Sequence, residues 1–144
     1  MLIQLSVLAC LEEDTGISTY DLFDMIAGSS SGGLITCLIL GRSMSAQQII
    51  QMILQEKLLG KMMTKSWASP LLNKLQIRPK YKGNTKSLTL RNVLGNLRLS
   101  SLSKRLLIPC FNLNQDCLEI FTNDYQPNFL LSEIADACTA APSY

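Results

Sequence analysis

The 144-residue sequence contains no histidine. A Ser-His-Asp triad uses an imidazole as its general base, and a catalytic Cys-His pair uses the same group to activate its thiol. Neither arrangement can form within this chain. Any serine nucleophile that the sequence contains must therefore use a different base.

The sequence also lacks a run of about 18 apolar residues, which a membrane-spanning helix needs, and no basic residue precedes its N-terminal apolar stretch, so no secretory signal is predicted. Its cysteines are odd in number, lie in apolar segments and have no C-x-x-C spacing. This favours free thiols in a reducing compartment over disulfides or a zinc site. They are Cys10, Cys37, Cys110, Cys117 and Cys138. We expect a cytoplasmic protein with no metal ion and no cofactor.

Apolar residues make up 47% of the chain and charged residues 17%, which is the composition of a globular protein. At this length a single domain over residues 1–144 can bury a core. Strand-like and helix-like apolar segments predict an α/β fold with a mostly parallel sheet flanked by helices.

The basic residues are unevenly placed. Of the 13 lysines and arginines, all except Arg42 lie between Lys57 and Arg105, and none of the 11 acidic residues lies there. One interpretation is peripheral contact with an anionic membrane, and the other is a solvated surface neutralised by the acids of both flanks. Nucleic acid is not expected, since the stretch offers only Trp67 and Tyr81 for base stacking.

Residues 61–83 have little periodicity and combine methionines and a tryptophan with basic residues. Such a segment could be a lid or a membrane-facing loop. It could equally fill gaps in the core, a role that methionine suits. The sequence leaves both interpretations open.

Residues 23–35 read Phe-Asp-Met-Ile-Ala-Gly-Ser-Ser-Ser-Gly-Gly-Leu-Ile. Met25 to Ala27 is an apolar run of strand length, Gly28 interrupts it, and an apolar segment that predicts a helix follows Gly32. The spacing Gly28-x-Ser30-x-Gly32 is that of a nucleophile elbow, in which a serine stands on a sharp strand-to-helix turn.

Ser30 is therefore the candidate catalytic residue. Glycines two before and two after it give the turn room. The helix that follows directs free N–H groups and the positive end of its dipole at the turn, which suits an oxyanion. A glycine-rich turn at a helix start can also hold a phosphate, so an anion-binding domain is an alternative. The rest of the motif is Gly28, Ser29, Ser31, Gly32 and Gly33.

Three segments together resemble the patatin-like phospholipases. The elbow resembles the family's signature FD-hydrophobic-IAGTSTGG, with Ser29 and Ser31 where the family often has threonine. Residues 106–113, Leu-Leu-Ile-Pro-Cys-Phe-Asn-Leu, resemble its central strand, and residues 134–144 resemble its A-(S/T)-(S/A)-A-A-P-x-(Y/F) segment. These landmarks follow the family's order over nearly the whole chain.

The resemblance implies a lipid acyl hydrolase in which Ser30 attacks a fatty-acyl ester, such as a phospholipid, and an aspartate serves as the base. The family's aspartate lies in an Asp-Gly motif after the last segment, and this sequence has no Asp-Gly dipeptide. No glycine precedes Gly16, so the family's Gly-rich oxyanion loop is also missing. We expect a partial patatin-like domain, truncated at both ends, with little activity alone. The alternative is an inactive lipid-binding or interaction module.

Two acids and one lysine are the other possible bases in the chain, and no catalytic role is predicted for any of them. Asp24 and Asp136 are the acids nearest to the recognised motifs. Ser101 and Lys104 have the S-x-x-K spacing of a Ser-Lys nucleophile pair, but the S-D-N and K-T-G partner motifs are absent. A motif without its context is only a hypothesis.

Local patterns predict the remaining elements near the N-terminus. Residues 2–11 are apolar on almost every side, which predicts a buried helix with Gly16 as its C-cap. Gly41 is the expected C-cap of the elbow helix. Ser45 and Gln48 form a capping box for the helix after it.

Further along, apolar spacing predicts a helix that begins near Ser87. Strands at 106–113 and 118–122 are expected to form a hairpin. Pro109 implies an edge position or a bulge in the first of them. Ser132 is the predicted N-cap of the last helix.

Overall fold

The structure is a computed structural model that describes residues 1–55, 83–125 and 128–140. The helices of these residues are α1 (Leu2–Thr15), α2 (Thr19–Leu22), α3 (Ser31–Arg42), α4 (Ala46–Gln55), α5 (Gly83–Leu94) and α6 (Leu131–Cys138). The strands are β1 (Met25–Ala27), β2 (Arg105–Asn112) and β3 (Cys117–Thr122), with a 3₁₀ turn at Leu99–Ser101. The interpretations offered above for residues 61–82 lie outside the described residues.

The described strands form one mixed sheet in the order β1-β2-β3. β1 runs parallel to the start of β2, with Ile26 opposite Leu106, and β2 runs antiparallel to β3. The α/β class and the predicted hairpin are confirmed, and the described sheet has one parallel and one antiparallel pair. Pro109 lies beyond the end of the parallel ladder, where its missing N–H leaves no bond with β1 unmade.

α3 forms the centre of the core. Every residue from Gly33 to Leu40 is buried, because the helix packs against α5, α6 and the β1-β2 side of the sheet. Its nearly continuous apolar sequence fits a helix surrounded by protein. The prediction of Gly41 as C-cap is wrong. It lies inside the helix, where a Cβ would come within 2.7 Å of Leu131 Cδ1, and Ser43 ends the helix with φ 49°.

α1 is only partly buried, so the expectation of a fully buried helix is wrong. Leu5 and Ala9 are buried, whereas Ile3 is 82% exposed and Val7 64% exposed. α1 packs mainly on α4. This contact covers only one face of α1, although the helix is apolar on almost every side. Gly16 caps α1 as predicted, with φ 68° and its N–H donating to the Glu12 carbonyl.

The capping box of α4 is confirmed. The Ser45 N–H donates to Gln48 Oε1 (2.9 Å), and the Gln48 N–H donates to Ser45 Oγ (3.2 Å). The helix predicted near Ser87 is also present, and it begins earlier, at Gly83.

The predicted N-cap of α6 is wrong. Ser132 lies buried in the first turn, and Leu130 is the residue that precedes the helix. The Glu133 carboxylate accepts the Leu130 N–H (3.1 Å), and the Leu131 N–H donates to the Leu97 carbonyl (2.9 Å). The helix start is therefore set partly by a tertiary contact, which a local capping pattern does not contain.

Glu12 explains the acidic end of α1, which opposes the dipole of its own helix. Its Oε1 accepts the Thr19 N–H of α2 (2.7 Å), and its Oε2 accepts the Ala46 N–H of α4 (3.0 Å). One carboxylate thus satisfies donors at the N-termini of two neighbouring helices, where negative charge is favourable. Glu12 therefore ties the end of α1 to the starts of α2 and α4.

We predict that Glu12→Gln destabilises the protein by about 1.5–3 kcal/mol, the usual contribution of a hydrogen bond to a charged group. The amide keeps one acceptor oxygen but turns an NH₂ group toward the second backbone N–H. Urea denaturation should show a lower midpoint than for Glu13→Gln. Glu13 is exposed and makes no side-chain hydrogen bond within the described residues. Equal losses of stability in the two variants would therefore contradict the role of Glu12 in capping α2 and α4.

Candidate active site

Ser30 lies at the apex of the turn between β1 and α3. The sheet fixes the entry to this turn, because the Gly28 N–H donates to the Leu107 carbonyl of β2 (3.1 Å) directly after the last parallel pair. Ser30 has φ 52° and ψ −123°, a conformation that residues other than glycine rarely adopt. The residue is exposed. The turn therefore has the strained strand-to-helix geometry that the glycine-serine spacing predicts.

The three glycines of the motif have different roles. A Cβ on Gly28 would lie 2.5 Å from the carbonyl carbon and oxygen of Gly32, so the two backbones are in direct contact. A Cβ on Gly33 would lie 2.7 Å from Cys138 Sγ. On Gly32 it would meet only Gln4 Nε2, at 3.9 Å. Gly28 and Gly33 are therefore needed for close packing, whereas position 32 has room for a side chain.

The first turn of α3 presents backbone donors beside Ser30. The Gly32 N–H donates to the Ser29 carbonyl (2.9 Å), and the Leu34 N–H donates to the Ser30 carbonyl (3.2 Å). The Ser31 N–H has no acceptor among the residues that the structure describes. In a nucleophile elbow the amide after the serine is one of the oxyanion donors, and the helix dipole adds positive potential. This turn can therefore stabilise a negative charge next to Ser30.

Within the described ranges, no side chain is hydrogen-bonded to the Ser30 hydroxyl. Asp136 is engaged elsewhere, since its carboxylate pairs with the Lys86 ammonium (2.8 Å) and accepts a hydrogen bond from Ser87. Asp24 is exposed before β1. The structure therefore brings neither of these acids to the candidate nucleophile.

The S-x-x-K residues also have other partners. The Lys104 ammonium donates to the carbonyls of Tyr20 and Phe23 and lies 4.8 Å from the centre of the Tyr20 ring. Ser101 Oγ donates to the Arg98 carbonyl (2.6 Å). Lys104 thus holds the segment that leads into β1, which is a structural role that the spacing did not reveal.

The thiol of Cys138 lies against the turn of Ser30, 3.6 Å from its carbonyl oxygen, but neither Cys138 nor Cys37 is activated. Burial is the main cause that raises the pKa of Cys37 far above 9.0 and the pKa of Cys138 to about 12, so both remain neutral at physiological pH. All five cysteines are free. No group of His, Cys, Asp or Glu side chains in the described part of the chain is arranged to hold a metal ion.

A surface cavity of about 470 Å³ lies between α5 and α6. None of its lining residues belongs to the elbow, and its wall mixes both signs of charge with hydroxyl groups. The lining residues are Ser87, Leu88, Arg91, Ser132, Glu133 and Asp136. The cavity therefore does not indicate one class of ligand.

The described cations of the basic stretch are mostly engaged within the fold. Lys86 and Arg105 pair with acids from the C-terminal flank, and Arg98 and Lys104 donate to backbone carbonyls. Two of these described cations are therefore neutralised by a nearby carboxylate. No described helix has the length and apolar character needed to cross a membrane.

Comparisons with known proteins agree with this geometry. A family model described as patatin-like phospholipase matches residues 1–144. The chain is 31% identical to Patatin-like protein 4 of Arabidopsis thaliana, over 93% of this chain and 36% of that protein. It is 31% identical to Patatin-like protein 2 of Oryza sativa subsp. indica, over 86% of this chain and 34% of that protein. The chain thus spans about a third of the length of these curated relatives.

We predict different effects for alanine at Gly28 and at Gly32. Gly28→Ala forces a Cβ into the backbone of Gly32 and should destabilise the protein by about 1–3 kcal/mol or more. Gly32→Ala has room and should be neutral or stabilise α3 by up to about 1 kcal/mol, because alanine has the higher helix propensity. Urea midpoints of the two variants test this. A Gly28→Ala protein as stable as Gly32→Ala would contradict the close approach.

Proposed function

Because the chain belongs to the patatin-like phospholipase family, we propose that it forms the nucleophile-bearing part of a lipid acyl hydrolase. Ser30 Oγ attacks the carbonyl carbon of a fatty-acyl ester, such as a phospholipid. The ester's alcohol then leaves with a proton, and the acyl group remains on Ser30. Water attacks this acyl-enzyme, releases the fatty acid and restores the serine hydroxyl.

The observation that carries this proposal is the conformation of Ser30. An exposed serine with positive φ, between a strand and a helix N-terminus, is costly to maintain and is typical of sites where strain serves function. The Ser31 N–H beside it, which has no acceptor among the described residues, supports the same role, because it can donate to the oxyanion of the tetrahedral intermediate. Gly28, Ser29, Gly32 and Gly33 complete the elbow.

We propose that the base is the aspartate of a Ser-Asp dyad, and that this aspartate lies outside the 144 residues of this chain. Three facts support this view. The sequence has no histidine and no Asp-Gly dipeptide, and Asp136 is held by Lys86. A carboxylate near the Ser30 hydroxyl would accept its proton during attack.

A binding module without catalysis is the second candidate. The Ser30 hydroxyl has no base among the described residues, and a protein in this state could bind lipid without cleaving it. We further propose a cytoplasmic location, since free thiols suit a reducing compartment. No cofactor enters the proposed reaction.

We predict that a fluorophosphonate probe labels Ser30 in a longer form of the protein that supplies the dyad aspartate. Ser30→Ala should abolish labelling and ester hydrolysis while leaving the fold intact. Ser29→Ala and Ser31→Ala are matched controls, because they remove neighbouring hydroxyls that need not attack. Mass spectrometry of the labelled peptide gives the site. Absence of labelling in this longer form would favour the binding module, and equal loss in all three variants would contradict the assignment of Ser30.

We also propose peripheral contact with an anionic membrane, which the charge asymmetry of the sequence supports. Each Lys or Arg near such a surface contributes about 1 kcal/mol, within a Debye length. The protein should sediment with phosphatidylserine vesicles, less so in high salt. Binding should also weaken when Lys61, Lys65, Lys80 and Lys82 are changed to glutamine. Equal binding to neutral vesicles, or none to either kind, would count against this contact.

A further inference from the structure

Cys138, the last residue of α6, lies directly against the elbow. Its Sγ is 3.6 Å from the carbonyl oxygen of Ser30. The same sulfur stands where a side chain on Gly33 would have to go, 2.7 Å from the Cβ position. The thiol therefore fills the gap that Gly33 leaves open and contacts the backbone of the apex residue at the same time.

We propose that Cys138 is a positioning residue that holds the apex of the elbow and so orients the Ser30 hydroxyl. This inference rests on the proposed role of Ser30 as nucleophile. A backbone in a strained conformation persists only where its surroundings over-determine it. The strand fixes the entry to the turn through Gly28, and Cys138 fixes the other side through Gly33 and the Ser30 carbonyl.

The chemistry of the thiol suits this position. Burial keeps it protonated, so it can act as a weak S–H donor and does not bring a negative charge against carbonyl oxygens. Its proton can point to the Ser30 carbonyl or to the Ala135 carbonyl, which lies 3.4 Å from the sulfur. The sulfur packs against the same atoms whichever carbonyl accepts its proton. We therefore attribute the positioning of Ser30 mainly to the volume of the sulfur.

The first experiment compares Cys138→Ala, Cys138→Val and Cys138→Ser in the longer form of the protein that supplies the dyad aspartate. Reactivity is measured as the second-order rate of Ser30 labelling by a fluorophosphonate. Both Ala and Val should slow labelling by about tenfold or more, because small misplacements of a reacting group are costly. Serine keeps a donor but loses most of the volume of the sulfur, so it should slow labelling nearly as much as alanine does. A wild-type rate in Cys138→Ser would contradict the assignment to volume. With an ester substrate, kcat should fall and KM should not.

The matched control is Cys37→Ala. Cys37 is a fully buried thiol of α3 whose sulfur lies 3.9 Å from the carbonyl of Leu131, at the opposite end of α6 from Cys138. This variant should lower the melting temperature with no change in the labelling rate. If Cys138→Ala behaves in the same way, Cys138 is only structural and the inference fails. If the wild-type protein itself is not labelled, the proposed function fails first.

A second test exchanges the volumes of the two partners. Gly33→Ala alone places its Cβ against the sulfur and should reduce both stability and labelling. In the double variant Gly33→Ala/Cys138→Ala, the nearest neighbours of the new methyl are the Gly28 carbonyl oxygen (3.3 Å) and the Cβ of residue 138 (3.5 Å). The double variant should therefore recover toward the wild-type rate. Strictly additive losses would overturn the proposed pairing.

Discussion

The close approach of Gly28 to the first turn of α3 is the constraint on which the rest of the described structure depends. The two backbones meet at a distance that no side chain at position 28 would allow. Since Gly28 also donates to β2, the start of α3 is fixed relative to the sheet. The helix must then run back across the strands, which explains why all of its residues from 33 to 40 are buried. The strained apex follows from the same geometry.

A stripe of small residues on α3 brings α6 to the elbow. Gly33, Cys37 and Gly41 are spaced by four residues and therefore lie on one face of the helix. Gly33 faces Cys138, whereas Cys37 and Gly41 face Leu131 at the other end of α6. The two helices thus run antiparallel in close contact. Larger residues along this stripe would move α6 outward and withdraw Cys138 from the Ser30 carbonyl.

The features that could be predicted from the sequence are those with local causes. The strand-turn-helix geometry at Ser30, the capping box of Ser45 and Gln48, the cap at Gly16 and the β2-β3 hairpin all depend on residues within a few positions of one another. The same spacing identified Ser30 as the apex of the turn. Confirmation of these elements shows that local steric and hydrogen-bonding rules are enough where the signal is compact.

The predictions that were wrong, and the contacts that were not predicted, depend on residues far apart in sequence. Gly41 was expected at a helix end because glycine often caps helices, yet its reason is the approach of Leu131. Ser132 was expected as a cap, yet Leu97 helps to set the start of α6. The contact of Cys138 with the elbow spans more than a hundred residues. Glycines in a helix and a cysteine at a helix end are typical of close packing, but the sequence does not indicate which element packs against them.

Two charged side chains stabilise the segment that leads into the turn of Ser30, and the local sequence around them did not predict this role. α2 has only four residues, too few for a helix that is stable by itself. The Glu12 carboxylate accepts an N–H at its start, and the Lys104 ammonium binds carbonyls at its end. Each charge has the sign that the helix dipole favours at that end. α2 leads directly into β1. Glu12, which opposes the dipole of its own helix, and Lys104, which belongs to the S-x-x-K spacing, therefore both stabilise the segment that enters the turn of Ser30.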